Sequence, residues 1–333
     1  MTPWSLSPES LQVIHVPPIR EYLQRLDMRS IPELASSSSP PSLTGPLQLT
    51  GRLPLGVREI ISSGGCIVGL YDQTPVVREP NKPLPPCTKV LKYTRDENDR
   101  NWLISIKVEA RILDILDKLG PHPSIMKSEG LTEDGLVLKY YPNGNMGDYL
   151  IRYPEVSLEI RLDWCQQLVA AVSFIHSKNV IHCTIDVSNI LLDINLNIIL
   201  ADFQGILKNS AGEYMLDGLS REGSKSSMPR PFPYHAEKIT DIFAVGSAMY
   251  HIITGGEVFP ELDSVRHAVE VQYRFRNTQF PRDDYVCSHI IEKCWRGLYS
   301  SIDEVSEDIF TMQSASWAGD VAQKLEDGFF FQV

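Results

Sequence analysis

The chain has 333 residues, 43% hydrophobic and 22% charged, with 42 acidic against 31 basic side chains and a net charge of −11. That length buries a sizeable core, and an acidic balance without a long Lys/Arg run argues against nucleic acid or an anionic membrane as the main partner. Six cysteines without a CxxC pair indicate neither a zinc site nor a disulfide framework, and no apolar run reaches the ~18 residues a membrane span needs. The opening MTPWSLSPESLQVIH lacks the basic-then-apolar pattern of a signal peptide, so the expected location is the cytoplasm, with the nucleus left open. Residues 1–50 carry Pro17-Pro18, Ser36 to Ser39, Pro40-Pro41 and Pro46, the composition of a flexible extension. Within it Ile19, Leu23 and Leu26 share one face of a short helix across Arg20–Leu26.

From about Pro54 the pattern turns β-rich. Ile60 to Tyr71 reads as strand, glycine turn at Gly64-Gly65, and strand, and such a turn lets backbone N–H groups approach phosphate oxygens. Pro75 to Pro86 is a proline-rich excursion that no central strand tolerates. Cys87 to Tyr93 fits a strand containing Lys92. Trp102 to Leu119 fits an amphipathic helix with apolar residues at Leu103, Ile106, Ala110, Leu113 and Leu116 or Leu119, and Glu109 at its middle. Gly120-Pro121 stops it. Ser124 to Gly135 fits two short strands, and Gly135 to Tyr141 another that ends at Pro142-Asn143-Gly144. Leu158 to His176 is again amphipathic, with Leu162, Cys165, Leu168, Val169, Val172 and Ile175 on one face.

The densest chemistry lies in Val180–Gly205, VIHCTIDVSNILLDINLNIILADFQG. Ile190-Leu191-Leu192 and Ile198-Ile199-Leu200 each fit a short strand, and Asp193 to Asn197 supplies the turn between them. His182, Thr184, Asp186 and Asn189 precede this hairpin and Asp202 follows it. Antiparallel pairing sets Asn189 and Asp202 at a common space, where an amide oxygen and a carboxylate form a hard-cation site for magnesium and phosphate. A Ser-, Gly- and Pro-rich stretch runs on to His235. Thr240 to Gly255 then fits a buried helix with Asp241 at its N-cap, Ile290 to Trp295 a late helix, and Ile302 to Phe310 a final one. Residues 313–333 form a tail with an apolar Gly328-Phe329-Phe330-Phe331.

His182, Asn189, Asp202 and Phe203 stand where eukaryotic protein kinases carry H-R-D-x-x-x-x-N followed by D-F-G. The segment resembles that pair of motifs, most closely in the form found in divergent kinase-like proteins of filamentous fungi. The Thr240–Gly255 helix is similar to the kinase S-D-I-W-S-L-G helix, and the likeness spans residues 54–312. It implies an α+β, two-lobed fold with a small β-rich N-lobe (54–138) and a larger helical C-lobe (142–312). It also implies ATP and Mg²⁺ as cofactors and a protein Ser/Thr or Tyr hydroxyl as acceptor. By the same likeness Lys92 is the phosphate-binding lysine of V-A-I-K and Glu109 its partner, while Gly64, with Gly65 beside it, belongs to the phosphate loop. Leu138 guards the back of the adenine pocket, Lys139, Tyr140 and Tyr141 form the hinge, and Asn189 and Asp202 hold the metal.

Five departures bear on activity. Thr184 replaces the catalytic Asp and Cys183 the preceding Arg, so a phosphate clamp on Ser220, Ser224, Ser226 or Ser227 is not expected. Gln204 replaces the glycine after Phe203. Arg230 stands where A-P-E has its Glu, and Ser300-Ser301 where the partner Arg is expected, so that ion pair is lost jointly. Asp186, two residues beyond Thr184, is a candidate replacement base. The expected function is therefore an impaired ATP-dependent protein phosphotransferase. The alternative is a pseudokinase, an ATP-binding or scaffolding module without catalysis.

Overall fold

The computed structural model describes residues 54–63, 66–72, 87–94, 96, 99–281 and 285–326. The extension and its short helix, Gly64 and Gly65, the Pro75–Pro86 excursion and the terminal Phe run lie outside them. The N-terminal part is one antiparallel sheet of β1 (Val57–Ser63), β2 (Cys66–Tyr71), β3 (Lys89–Thr94), β4 (Ser128–Leu131) and β5 (Leu136–Lys139), ordered β1-β2-β3-β5-β4. Period-2 alternation gives it two apolar faces. Ile67, Tyr71, Leu91, Tyr93 and Val137 close a small cluster on one, while Cys66, Val90, Leu136 and Leu138 join the main core on the other.

Helix α1 (Arg100–Lys118) lies against that second face. Asp99 caps it, its carboxylate accepting the N–H groups of Asn101 and Trp102. Apolar spacing buries Ile106, Ile112, Leu113 and Leu116, and the same stripe carries Ser105 and Glu109 inward. The expected pair of strands across 124–135 is one strand, β4. Ser124 to Met126 instead join the hairpin of the larger lobe: Leu200 N–H donates to the Ser124 carbonyl at 2.8 Å and Met126 N–H to the Leu200 carbonyl at 2.9 Å. Ile125 and Met126 are buried by this pairing, which ties the two lobes together.

The larger part contains α2 (Met146–Arg152), α3 (Leu158–Ser177), β6 (Val180–Ile181), β7 (Ile190–Leu192), β8 (Ile198–Leu200), β9 (Ile206–Lys208), β10 (Tyr214–Asp217), α4 (Lys238–Thr254), α5 (Ala268–Arg276), α6 (Ser288–Trp295) and α7 (Ile302–Glu326). The α+β, two-lobed architecture is thus present, and α4 is its axle. Thirteen of its residues, from Thr240 to Ile253, are buried, as an all-round apolar helix must be. At Gly246 a Cβ would stand 2.7 Å from Cys294 Cβ, so glycine sets how closely α4 approaches α6. Two expectations are corrected. The N-cap of α4 is Glu237, because the Thr240 hydroxyl folds back on the Glu237 backbone, and Asp241 lies within the first turn. The last helix continues past Phe310 and across position 312 to Glu326.

Candidate active site

The loop after β6 is built on one buried carboxylate. Asp241 accepts the N–H of His182 at 2.7 Å and of Cys183 at 2.9 Å, and lies 3.0 Å from His176 Nε2. Both backbone donors would otherwise be buried without partners, and their capture holds Cys183 at φ 67°, a left-handed conformation that costs a non-glycine residue about 1–3 kcal/mol. The His182 ring is fixed in turn. Its Nε2–H donates to the Ala201 carbonyl at 2.9 Å, leaving Nδ1 to accept Thr184 N–H at 3.3 Å, and Phe203 meets it edge-on at 4.9 Å. Burial holds His182 below the usual histidine range, so it is neutral.

The candidate metal ligands follow from this scaffold. Asn189 donates its amide N–H to the Thr184 carbonyl at 2.9 Å, which leaves Oδ1, the oxygen a hard cation prefers, as its open acceptor. β7 pairs with β8 from Ile190–Leu200 to Leu192–Ile198, and Ala201 N–H donates to the Asn189 carbonyl at 2.9 Å. Asp202 therefore leaves the hairpin beside Asn189, with φ 67° turning it toward Lys92.

Lys92 lies 2.6 Å from Glu109 and also contacts Asp202. The Lys92 side chain is 9% exposed, that of Glu109 0% and that of Asp202 31%. Burial works against the Lys92 charge, yet Asp202 and Glu109 together hold its ammonium above the usual range. Burial raises Glu109 despite Lys92, and Lys92 outweighs burial at Asp202 to hold that carboxyl low. One ammonium thus faces two carboxylates and keeps a third N–H for a phosphate oxygen. Among the described residues no group of three or more His, Cys, Asp and Glu is arranged to hold a metal. Asn189 Oδ1 and the Asp202 carboxylate could supply two oxygen ligands, a number that suits magnesium, usually bound through one or two carboxylates together with substrate phosphates.

At the hinge Leu138 pairs across the sheet with Val90 and is buried. Tyr140 N–H donates to the Thr88 carbonyl at 2.8 Å and Lys139 N–H to the Lys127 carbonyl at 2.9 Å. The Tyr141 ring is buried, its hydroxyl pushed up to about 12 by burial, and Lys139 Nζ sits 5.3 Å from its centroid.

Thr184 and Asp186 are both engaged. The Thr184 hydroxyl lies 3.3 Å from His182 Nδ1. Asp186 caps the short turn Val187–Asn189, one carboxylate oxygen accepting the N–H and hydroxyl of Ser188 at 2.9 and 2.8 Å. Arg230 is not left alone: it pairs with the buried Glu222 at 2.8 Å, so the segment supplies its own counter-ion where the expected partner is missing. The Ser220 hydroxyl donates to Gln204, that of Ser224 to the Ser264 carbonyl at an exposed site, and that of Ser226 to the Gly223 carbonyl within its own loop. Sequence reasoning missed what Gln204 and Ser105 do. Gln204 is 2% exposed and touches both Glu109 and Ser220, and Ser105, one turn before Glu109 on α1, donates to the Gly218 carbonyl at 2.6 Å. The i, i+4 spacing of Ser105 and Glu109 was the available signal.

Residues 74–301 match the family model described as protein tyrosine and serine/threonine kinase. The chain is 30% identical over 181 residues to the Caenorhabditis elegans serine/threonine-protein kinase kin-29, covering 50% of this chain and 20% of that protein. It is 27% identical over 196 residues to the mouse phosphorylase b kinase gamma catalytic chain, liver/testis isoform, covering 55% and 48%. It is 28% identical over 218 residues to the chicken serine/threonine-protein kinase SIK2, covering 62% and 25%. The chain thus spans half or less of the length of these relatives.

Proposed function

This chain belongs to the protein tyrosine and serine/threonine kinase family, and we propose that it binds magnesium and ATP at Lys92, Asn189 and Asp202 and transfers the γ-phosphate slowly to a protein hydroxyl. The observation that carries this reading is the simultaneous contact of Lys92 with Glu109 and Asp202. A buried ammonium between two carboxylates is assembled for phosphate, since phosphoryl transfer depends mainly on positioning and charge neutralisation. Magnesium, when bound, offsets the negative charge of the phosphates and of Asp202. In the reaction the bond from the γ-phosphorus to the β,γ-bridging oxygen breaks and ADP leaves with that oxygen, a bond to the acceptor hydroxyl oxygen forms, and the hydroxyl proton passes to water. The relatives are named serine/threonine kinases, which favours Ser or Thr as acceptor.

Slowness follows from Thr184. A general base contributes about 10²–10⁴-fold, and Thr184 offers a hydroxyl already directed at His182. A second reading, an ATP-binding module without catalysis, is favoured by Asp186, one of whose oxygens is committed to Ser188. Thermal stabilisation of the purified chain by ATP with magnesium, lost in Lys92→Ala and in Asp202→Ala, is expected under both; no shift in the unmodified chain would sink both. Phosphate incorporation into a generic Ser/Thr acceptor then separates them.

A further inference from the structure

The Gln204 side chain reaches both α1 and the segment after β10. Its Nε2 donates to Glu109 Oε2 at 3.3 Å, and its Oε1 accepts from the Ser220 hydroxyl at 3.3 Å. The backbone repeats the Ser220 side of the link, because Ser220 N–H donates to the Gln204 carbonyl at 3.3 Å, and Gln204 N–H donates locally to the Asp202 carbonyl at 2.8 Å. Beside it the Ser105 hydroxyl donates to the Gly218 carbonyl at 2.6 Å, and Gly218 N–H donates to the Gly205 carbonyl at 2.8 Å. Backbones approach so closely here that a Cβ on Gly218 would stand 2.3 Å from the Gln204 oxygen. Ser105 and Glu109 share one face of α1, so the helix is gripped at two points a turn apart by residues 204 and 218–220.

The chemistry selects an amide. Ionised Glu109 only accepts, so the group facing it must donate, and the Ser220 hydroxyl donates, so the group facing that must accept. A carboxylate at 204 has no donor for Glu109, a glycine offers neither, and an asparagine is one methylene short. Resting on the reading of Lys92 and Glu109 given above, we propose that Gln204 is a positioning residue: its amide braces α1 against the 217–220 segment and so holds Glu109 on Lys92 with no nucleotide bound and no phosphate added to the segment.

The test is hydrogen–deuterium exchange on the full chain without nucleotide, in the unmodified protein, Gln204→Met, Gln204→Ala, Ser220→Ala and the Gln204→Met/Ser220→Ala pair. Methionine keeps the buried volume and removes the amide. The expected result is a rise of about tenfold, the factor for one net hydrogen bond, over both 105–113 and 217–222 in Gln204→Met and Gln204→Ala alike. Ser220→Ala raises 217–222, and the double variant exceeds Gln204→Met by less than the Ser220→Ala increment, because the two residues share one link. Exchange over 242–252 in α4 stays unchanged. Native protection in Gln204→Met, which would make the role one of packing, overturns the proposal. So does full additivity of the pair, or a uniform rise that includes 242–252. Should the Gln204 variants fail to fold, Ser220→Ala decides alone: unchanged exchange over 217–222 overturns the brace. Because no nucleotide is present, a protein that shows the brace yet gains no thermal stability from magnesium and ATP refutes the proposed function and leaves this inference standing.

Discussion

The Lys92 ammonium and the Glu109 carboxylate meet at 2.6 Å across 17 residues of sequence, one on a strand and the other on a helix, with the Glu109 side chain wholly buried. The pair is the hinge of the site's electrostatics. Burial disfavours both charges, and they persist because they face each other and, for Lys92, Asp202 as well.

Lys92→Met removes the cation and strands Glu109, a loss that typically costs about 3–5 kcal/mol. Glu109 already titrates above the usual carboxylate range through burial, and without Lys92 it rises further and takes up a proton. A carboxyl whose folded pKa lies above its unfolded value contributes stability that is fully present at low pH and is lost as pH rises through the folded pKa. The melting temperature of Lys92→Met is therefore expected to fall, as pH rises above the usual carboxylate range, more steeply than that of the unmodified protein. Parallel pH profiles would show that Glu109 does not depend on Lys92.

Asp241→Ala leaves the buried N–H groups of His182 and Cys183 without acceptors, and each stranded donor costs about 1–3 kcal/mol. Nothing then holds Cys183 in its left-handed conformation. A large drop in the urea midpoint is expected, with a smaller one for Asp241→Asn, which keeps one acceptor. An unchanged midpoint in Asp241→Ala would mean that this carboxylate does not support the loop.

Much of this was legible in the sequence because it rests on period and spacing. The β7–β8 hairpin, the inward apolar stripe of α1 and the apolar run of α4 need only local rules, and all three form as those rules require. What was not legible rests on contacts between distant segments. The role of Asp241 as a prop has no local signal, because its donors lie 58 and 59 residues away. The Arg230–Glu222 pair closes within a loop that no periodicity describes. Gln204 read only as a departure because the family has glycine there. The close backbone approach falls at Gly205, where a Cβ would stand 2.1 Å from the Ile181 carbonyl oxygen.

Gly246→Ala tests the packing of α4 on α6. The added methyl meets Cys294 Cβ at 2.7 Å and Trp295 Cδ1 at 3.4 Å, in a region with no flexible side chain to yield. Overpacking of a core costs about 1–3 kcal/mol, which outweighs the ~1 kcal/mol that alanine gains over glycine in a helix. A net loss in the urea midpoint is expected, and a gain would mean that the two helices separate at little cost.

Thr184→Asp tests directly whether the chain is a slowed enzyme. The substitution adds a carboxylate to a loop already positioned by Asp241 and His182, beside the Asn189 amide that bonds the Thr184 carbonyl. Lys92, Glu109 and Asp202 are untouched, so thermal stabilisation by magnesium and ATP should be unchanged while phosphate transfer rises by about 10²–10⁴-fold, the worth of a general base. Asp186→Asn is the companion variant, since an amide oxygen still caps Ser188 and only the charge is lost. If Asp186 is the working base in the unmodified protein, Asp186→Asn abolishes its activity but leaves that of Thr184→Asp intact. If the proton departs without it, Asp186→Asn is neutral in both backgrounds. A Thr184→Asp protein that binds ATP as before and still transfers no phosphate would favour the non-catalytic reading, because the nucleotide site and the base would then both be present without producing turnover.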